Sequence, residues 1–113
     1  MTEQIGPYAR AIEINKIWYS RINEARSNSY FEPLQFDSSS NHFAISFNLD
    51  RNIFGERKVI LISYESICEY MRADGVQDPT VEKIMTNDNY IPLIAATLYK
   101  IAFDYVVSLE KER

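Results

Sequence analysis

The stretch from Ile91 to Leu109 constrains this chain more than any other. It reads as about five turns of α-helix in which only a thin strip is polar. Lys100, Asp104, Thr97 and Ser108 fall on that strip, with Leu93 among them. Ile91, Ile94, Ala95, Leu98, Ile101, Ala102, Tyr105 and Leu109 form one apolar stripe, and Ala96, Tyr99, Phe103, Val106 and Val107 form a second beside it. A surface helix buries one stripe a little over 100° wide, whereas a helix apolar nearly all round must be covered on two sides. Either the rest of the chain supplies both covers or a second chain helps, and a homodimer through this helix is one expectation. The helix is nearly long enough to span a membrane. Lys100 and Asp104 near its middle would each cost about 3 kcal/mol there, so the sequence favours a protein core over a membrane.

The remainder of the chain looks suited to provide such a core. Its 113 residues fit one domain, 1–113, and 46% of them are hydrophobic, which argues against disorder. From Tyr8 to about Arg26 the period is helical, with Pro7 in the first turn. Ala11, Ile14, Trp18, Ile22 and Ala25 share one face, with Tyr8, Ile12 and Tyr19 at its flank. Arg10, Glu13, Arg21 and Glu24 lie opposite, and the pairs Arg10/Glu13 and Arg21/Glu24 have i,i+3 spacing.

The middle of the chain changes period. Tyr30 to Phe36 reads as a short extended segment that Pro33 confines to an edge or a loop, followed by the polar turn Asp37-Ser38-Ser39-Ser40-Asn41. From His42 to Leu49 the pattern alternates, with Phe43, Ile45, Phe47 and Leu49 on one side. A charged connection containing Gly55 leads to Val59–Tyr64, which is apolar on both faces and reads as a more covered strand. Ser63 can cap a helix from Tyr64 to Ala73 that Gly75 stops. Asp78-Pro79 starts another short helix, Asn87-Asp88-Asn89 breaks it, and the long helix follows. Strands clustered in the middle rather than alternating with helices predict an α+β fold. Its small antiparallel sheet of two to three strands is covered on one face by the amphipathic N-terminal helix and the long apolar C-terminal helix.

Chemistry is scarce. His42 and Cys68 are the sole imidazole and thiol, too few for a tetrahedral zinc site. The acids around Asp74–Asp78 and Asn87–Asn89 lack EF-hand spacing. Gly6, Gly55 and Gly75 stand apart, so no glycine-rich phosphate loop occurs. Cys68 falls on the buried face of its helix, where a thiol stays protonated. His42 follows Ser39 and Ser40, but no nucleophile turn surrounds them. The sequence thus implies no cofactor, no metal and no enzymatic activity. A single cysteine, the absence of a glycosylation sequon and the lack of a signal-like start favour a reducing cytoplasm.

Charge points the same way. Residues 1–58 hold seven basic and seven acidic side chains, and residues 59–113 hold five and nine. With a net charge of −4 and no positive stripe, direct nucleic-acid binding is disfavoured. A small acidic chain without catalytic groups fits a module that binds another protein, such as an inhibitor, an antitoxin-like protein or an adaptor, of the kind found in phages and mobile elements. Asp74, Asp78 and Asp88 are the candidate acidic contacts, and Tyr99, Phe103, Val106 and Val107 the candidate apolar ones. In the acidic version, charge reversal at the three aspartates weakens partner capture without unfolding the chain. The alternative is a small-molecule sensor or carrier, with Tyr99, Phe103, Phe43 and Phe47 lining a pocket between helix and sheet.

Overall fold

Alternation along the middle of the chain builds the centre of the sheet. The computed structural model describes residues 6–24, 30–48 and 57–111; Ala25, Leu49 and Gly55 lie outside them. Strand β3 (His42–Asn48) is central. On one side it pairs antiparallel with β4 (Arg57–Ser63) along its whole length, from His42 opposite Ser63 to Asn48 opposite Arg57. On its other side lie two short pieces, β1 (Tyr30–Phe31) and β2 (Gln35–Asp37), both antiparallel to β3. These four strands occupy three rows, because β1 and β2 share one. Pro33 sits in the gap between them and cannot donate to a ladder. Beside it the Leu34 amide donates to Asn15 Oδ1 at 2.8 Å, so the first helix takes over where the sheet lets go. The turn from β2 to β3 places Asn41 at φ 54°, a left-handed position that asparagine tolerates.

Helices cover one face of this sheet. Phe43, Ile45, Phe47, Phe31 and Ile62 point into the core with helix residues Ile14, Trp18, Ile67, Ile94 and Leu98. Aromatic contacts knit the layers: Trp18 meets Phe31 edge-on, Phe31 stacks on Phe47, and Phe43 packs with Phe36 and Tyr64. Helix α2 (Tyr64–Ala73) follows β4 directly. Its N-cap Ser63 accepts from the Ser66 amide at 3.2 Å. It ends in a Schellman motif, with Gly75 at φ 89° and the Val76 amide donating to Met71 O at 2.9 Å. Helix α3 (Val81–Thr86) is capped by Thr80, two residues beyond the expected start at Asp78-Pro79. A 3₁₀ turn, Asp88–Tyr90, leads into α4 (Ile91–Lys111).

Within the chain, helix α4 packs against α1 (Pro7–Glu24) and α2, which cover its first stripe, while Ala96, Tyr99, Phe103 and Val107 of the second stripe stay half-buried. Its buried strip comprises Ile91, Ile94, Ala95, Leu98, Ile101, Ala102 and Val106. Two expectations shift. Thr97, assigned to the polar strip, is buried and satisfies its hydroxyl on Leu93 O at 2.8 Å. Tyr105, assigned to the first stripe, is exposed at its flank and meets the edge of Phe47. The helix remains long and apolar enough to cross a membrane by length and composition, with 44% of that window buried inside the protein.

Arg10 also departs from expectation. It was placed opposite the apolar face, yet it is 4% exposed and lies one turn before Ile14, in line with Trp18 and Ile22. Its guanidinium pairs with the Asp88 carboxylate and donates to Ile84 O at 2.5 Å. Glu13, freed of Arg10, pairs with Lys16 at 3.1 Å, and Arg21 lies over the Tyr99 ring at 4.9 Å instead of meeting Glu24. Arg10 thus pins the start of α1 to the junction between α3 and α4. Charged hydrogen bonds of this kind contribute about 2 kcal/mol, while an exposed i,i+3 pair contributes less than about 0.5 kcal/mol. In urea denaturation, Arg10→Met is expected to lose about 2 kcal/mol of stability and Lys16→Met almost none. Equal losses from the two would remove the anchor.

Candidate functional site

The sheet face turned away from the helices is the most distinctive surface. In the pairing register His42, Ala44, Ser46 and Asn48 of β3 share this face with Ser63, Leu61, Val59 and Arg57 of β4. Val59 is 54% exposed and Leu61 68%, although the continuous apolar run had suggested a more covered strand. The reason is geometric: helices that all lie on one side of a sheet leave the other without helical cover, and the exposure is greatest at Leu61 and Val59 while Ser46 beside them is buried. At one end of the face the Arg57 guanidinium reaches the Glu32 carboxylate at 2.9 Å, bridging β4 to the segment between β1 and β2. At the other end lies an open groove of about 500 Å³, lined by Gln35, Phe36, Asp37, Ser40, His42, Ala44 and Leu61. Its floor is apolar and its rim polar.

The rim is held by the turn between β2 and β3. Asp37 Oδ1 accepts from the Ser39 amide at 2.9 Å and from the Ser39 hydroxyl at 2.6 Å. These hydrogen bonds, the side-chain one foremost, hold the Asp37 carboxyl below the usual aspartate range. His42 donates from Nδ1 to Ser40 O at 2.7 Å. The Ser39 hydroxyl is therefore committed to Asp37, and the imidazole to a carbonyl. No serine–histidine dyad forms, and no group of three or more metal-ligating side chains exists among the described residues.

The residues predicted as contacts fall into different situations. Asp74 receives Lys100 Nζ at 2.6 Å, and this bond raises the lysine's pKa, with Asp104 adding to it. Asp88 is paired with Arg10, so reversing its charge would attack the fold as well as any partner. Asp78, at φ 45°, has no side-chain partner among the described residues and is exposed; only its carbonyl is engaged, by Lys83 Nζ at 3.2 Å. On α4, Val106 is 1% exposed and belongs to the core, so it presents nothing to a second chain. Tyr99 and Phe103 stack on each other and remain half-buried, as does Val107. The four residues proposed to line a helix–sheet pocket do not meet there. Phe43 and Phe47 are fully buried among other rings, while Tyr99 lies under Arg21.

The exposure of Val59 and Leu61 departs from the covered strand that their apolar run implies, whereas Ala44 lies on the outer side that the alternation of β3 assigns it. The available signal was arithmetic: two or three strands with every helix on one side cannot cover a strand that is apolar on both faces. No protein-family model, curated protein or solved structure matches the chain.

Two titrations check this description. Asp37, followed by NMR, should titrate below an ordinary aspartate, and Ser39→Ala should raise its midpoint. Because the folded value is depressed, Asp37 contributes stability above the unfolded aspartate pKa. That contribution is lost as pH falls through the folded value. Cys68 is buried, and burial pushes its thiol pKa up. A colorimetric thiol reagent should label it slowly in the native protein and at once in urea.

Proposed function

We propose that this chain is a small protein-binding module that engages its partner through the open face of the sheet. The observation that carries the reading is the exposure of Val59 and Leu61 beside the groove at His42 and Ala44. Contiguous apolar surface rimmed by polar groups marks interaction sites. The groove's shape favours a protein over a small molecule. Small-molecule sites enclose most of the ligand's surface, whereas this groove is open and suits one side chain presented by a larger body. The carrier alternative retains support only as an occupant of this same groove.

An inhibitor, antitoxin-like or adaptor role fits such a surface, since none of them needs catalytic groups. Acidic recognition narrows to Asp78, because Asp74 and Asp88 already hold cations of the same chain. A dimer through α4 would rest on Tyr99, Phe103 and Val107 alone. Partner capture through the sheet is tested by a photo-crosslinking residue at the exposed Gln35, introduced in the source cells, with a control at Glu82 on α3. A discrete adduct with a different protein is expected at Gln35, lost on Leu61→Asp and absent from the control. No adduct, or one indifferent to Leu61→Asp, would overturn the reading.

A further inference from the structure

The two edges of the sheet are built differently. The β1/β2 edge is blunted: its strands have two and three residues, and Pro33 interrupts the row. Short strands and proline are devices by which proteins keep an edge from pairing. The β4 edge has neither. It runs for seven residues without proline or bulge, and among the described residues it pairs with β3 alone. Its two cations, Arg57 and Lys58, both stand at its start, and the rest of the strand, Val59-Ile60-Leu61-Ile62, is apolar. Such an edge is a template for another strand.

We infer that β4 pairs antiparallel with β4 of a second copy about a two-fold axis at Ile60, joining the two sheets into one of six rows. The inference goes beyond partner binding, since the open face stays open when sheets join edge to edge. Three features favour a copy of the same strand as the occupant. First, a two-fold at Ile60 is the one register that pairs all seven residues, placing Val59 opposite Leu61 of the copy and Lys58 opposite Ile62. An isologous contact needs only this one self-complementary patch. Second, charge selects the direction. Antiparallel pairing sets the Arg57-Lys58 end of each strand beside the uncharged Ile62-Ser63 end of the other, with Glu65 exposed just beyond. Parallel pairing would stack Lys58 and the Glu32-bridged Arg57 on their own copies, and like charges directly opposite are unfavourable. Third, residues facing each other in this register share a face, so Val59 and Leu61 of both copies close into one apolar cluster of β-branched and aliphatic side chains. The ladder would supply about six to eight backbone hydrogen bonds over roughly 23 Å.

Sedimentation equilibrium from micromolar to near-millimolar protein tests the association. The mass should rise from one chain towards two, and Val59→Lys with Leu61→Lys should raise the dissociation constant at least tenfold. Both side chains are exposed, so the doubly substituted monomer keeps its fold, which circular dichroism checks. Ile60→Cys fixes the register. The two cysteines would face each other on the axis at disulfide distance, so mild oxidation should give a covalent dimer, whereas Arg57→Cys should not. A single-chain mass throughout the range would overturn the inference. So would a dimer that survives the two lysines but is lost in Tyr99→Asp or Phe103→Asp. Mass and self-crosslinking report on this dimer, and the Gln35 adduct reports on the heterologous partner, so each can fail without the other.

Discussion

Helix α4 needs apolar neighbours on two sides, and the way the chain supplies them decides where everything else can go. Ile14, Trp18 and Ile22 on α1 take one side, and Ile67, Cys68 and Met71 on α2 belong to the same core. Both neighbours must then lie on the same side of the sheet as α4 itself. A helical layer gathered on one face leaves the sheet single-sided. The exposed Val59 and Leu61 are thus a consequence of how α4 is buried, because no helix among the described residues is left to cover them.

The short polar contacts reinforce that arrangement at its seams. Arg10 joins the first turn of α1 to the entry of α4 through Asp88 and Ile84 O. Asn15 receives the Leu34 amide at the break in the sheet edge. Lys100 reaches from α4 to Asp74, the residue that ends α2. Each contact links segments far apart in sequence at a place where regular hydrogen bonding stops. The burial of Arg10 carries a cost, since its Nε has no partner. The carboxylate and carbonyl at the other end of the guanidinium offset it.

Much of this was legible from residue order. Period-2 alternation located β3, the Ser63 cap and Gly75 located both ends of α2, and Pro33 confined Tyr30–Phe36 to an edge or a loop, though not its division into two strands. What failed to show has a physical reason in each case. Helical spacing puts Arg10 in line with Ile14 and Trp18, but a cation there reads as solvated unless its distant partner Asp88 is known. Val106 follows Ala102 by four residues and so shares the buried strip. A helix apolar nearly all round, however, has no phase from which to decide that. The aspartates were legible as surface charges, yet their employment by Arg10 and Lys100 depends on loop closure that no local pattern encodes. The open face was hidden for the opposite reason: a strand apolar on both sides suggests cover, and only the count of covering elements contradicts it.

These facts together set limits on recognition. A surface acid already paired with a cation must break that pair before serving a partner, which yields little energy at the exposed Asp74–Lys100 pair and at Asp88 would also give up the anchor of the buried Arg10. Two of the three candidate aspartates are in that position. Apolar area has no such prior claim on it, since Val59 and Leu61 gain by being covered, by roughly 25 cal/mol for each square ångström removed from water. Edge and face also differ in what they select. The β4 edge offers backbone donors and acceptors that any extended strand can satisfy, so its specificity must come from register and charge. The groove beside Leu61 has a shape and a hydrogen-bonded rim at Asp37, Ser40 and His42 that fit few side chains. In the proposed assembly, self-association would belong to the edge and discrimination between partners to the face. Joining two copies through β4 would bring two such faces into one surface, allowing a partner that meets both to bind more tightly than either contact permits alone.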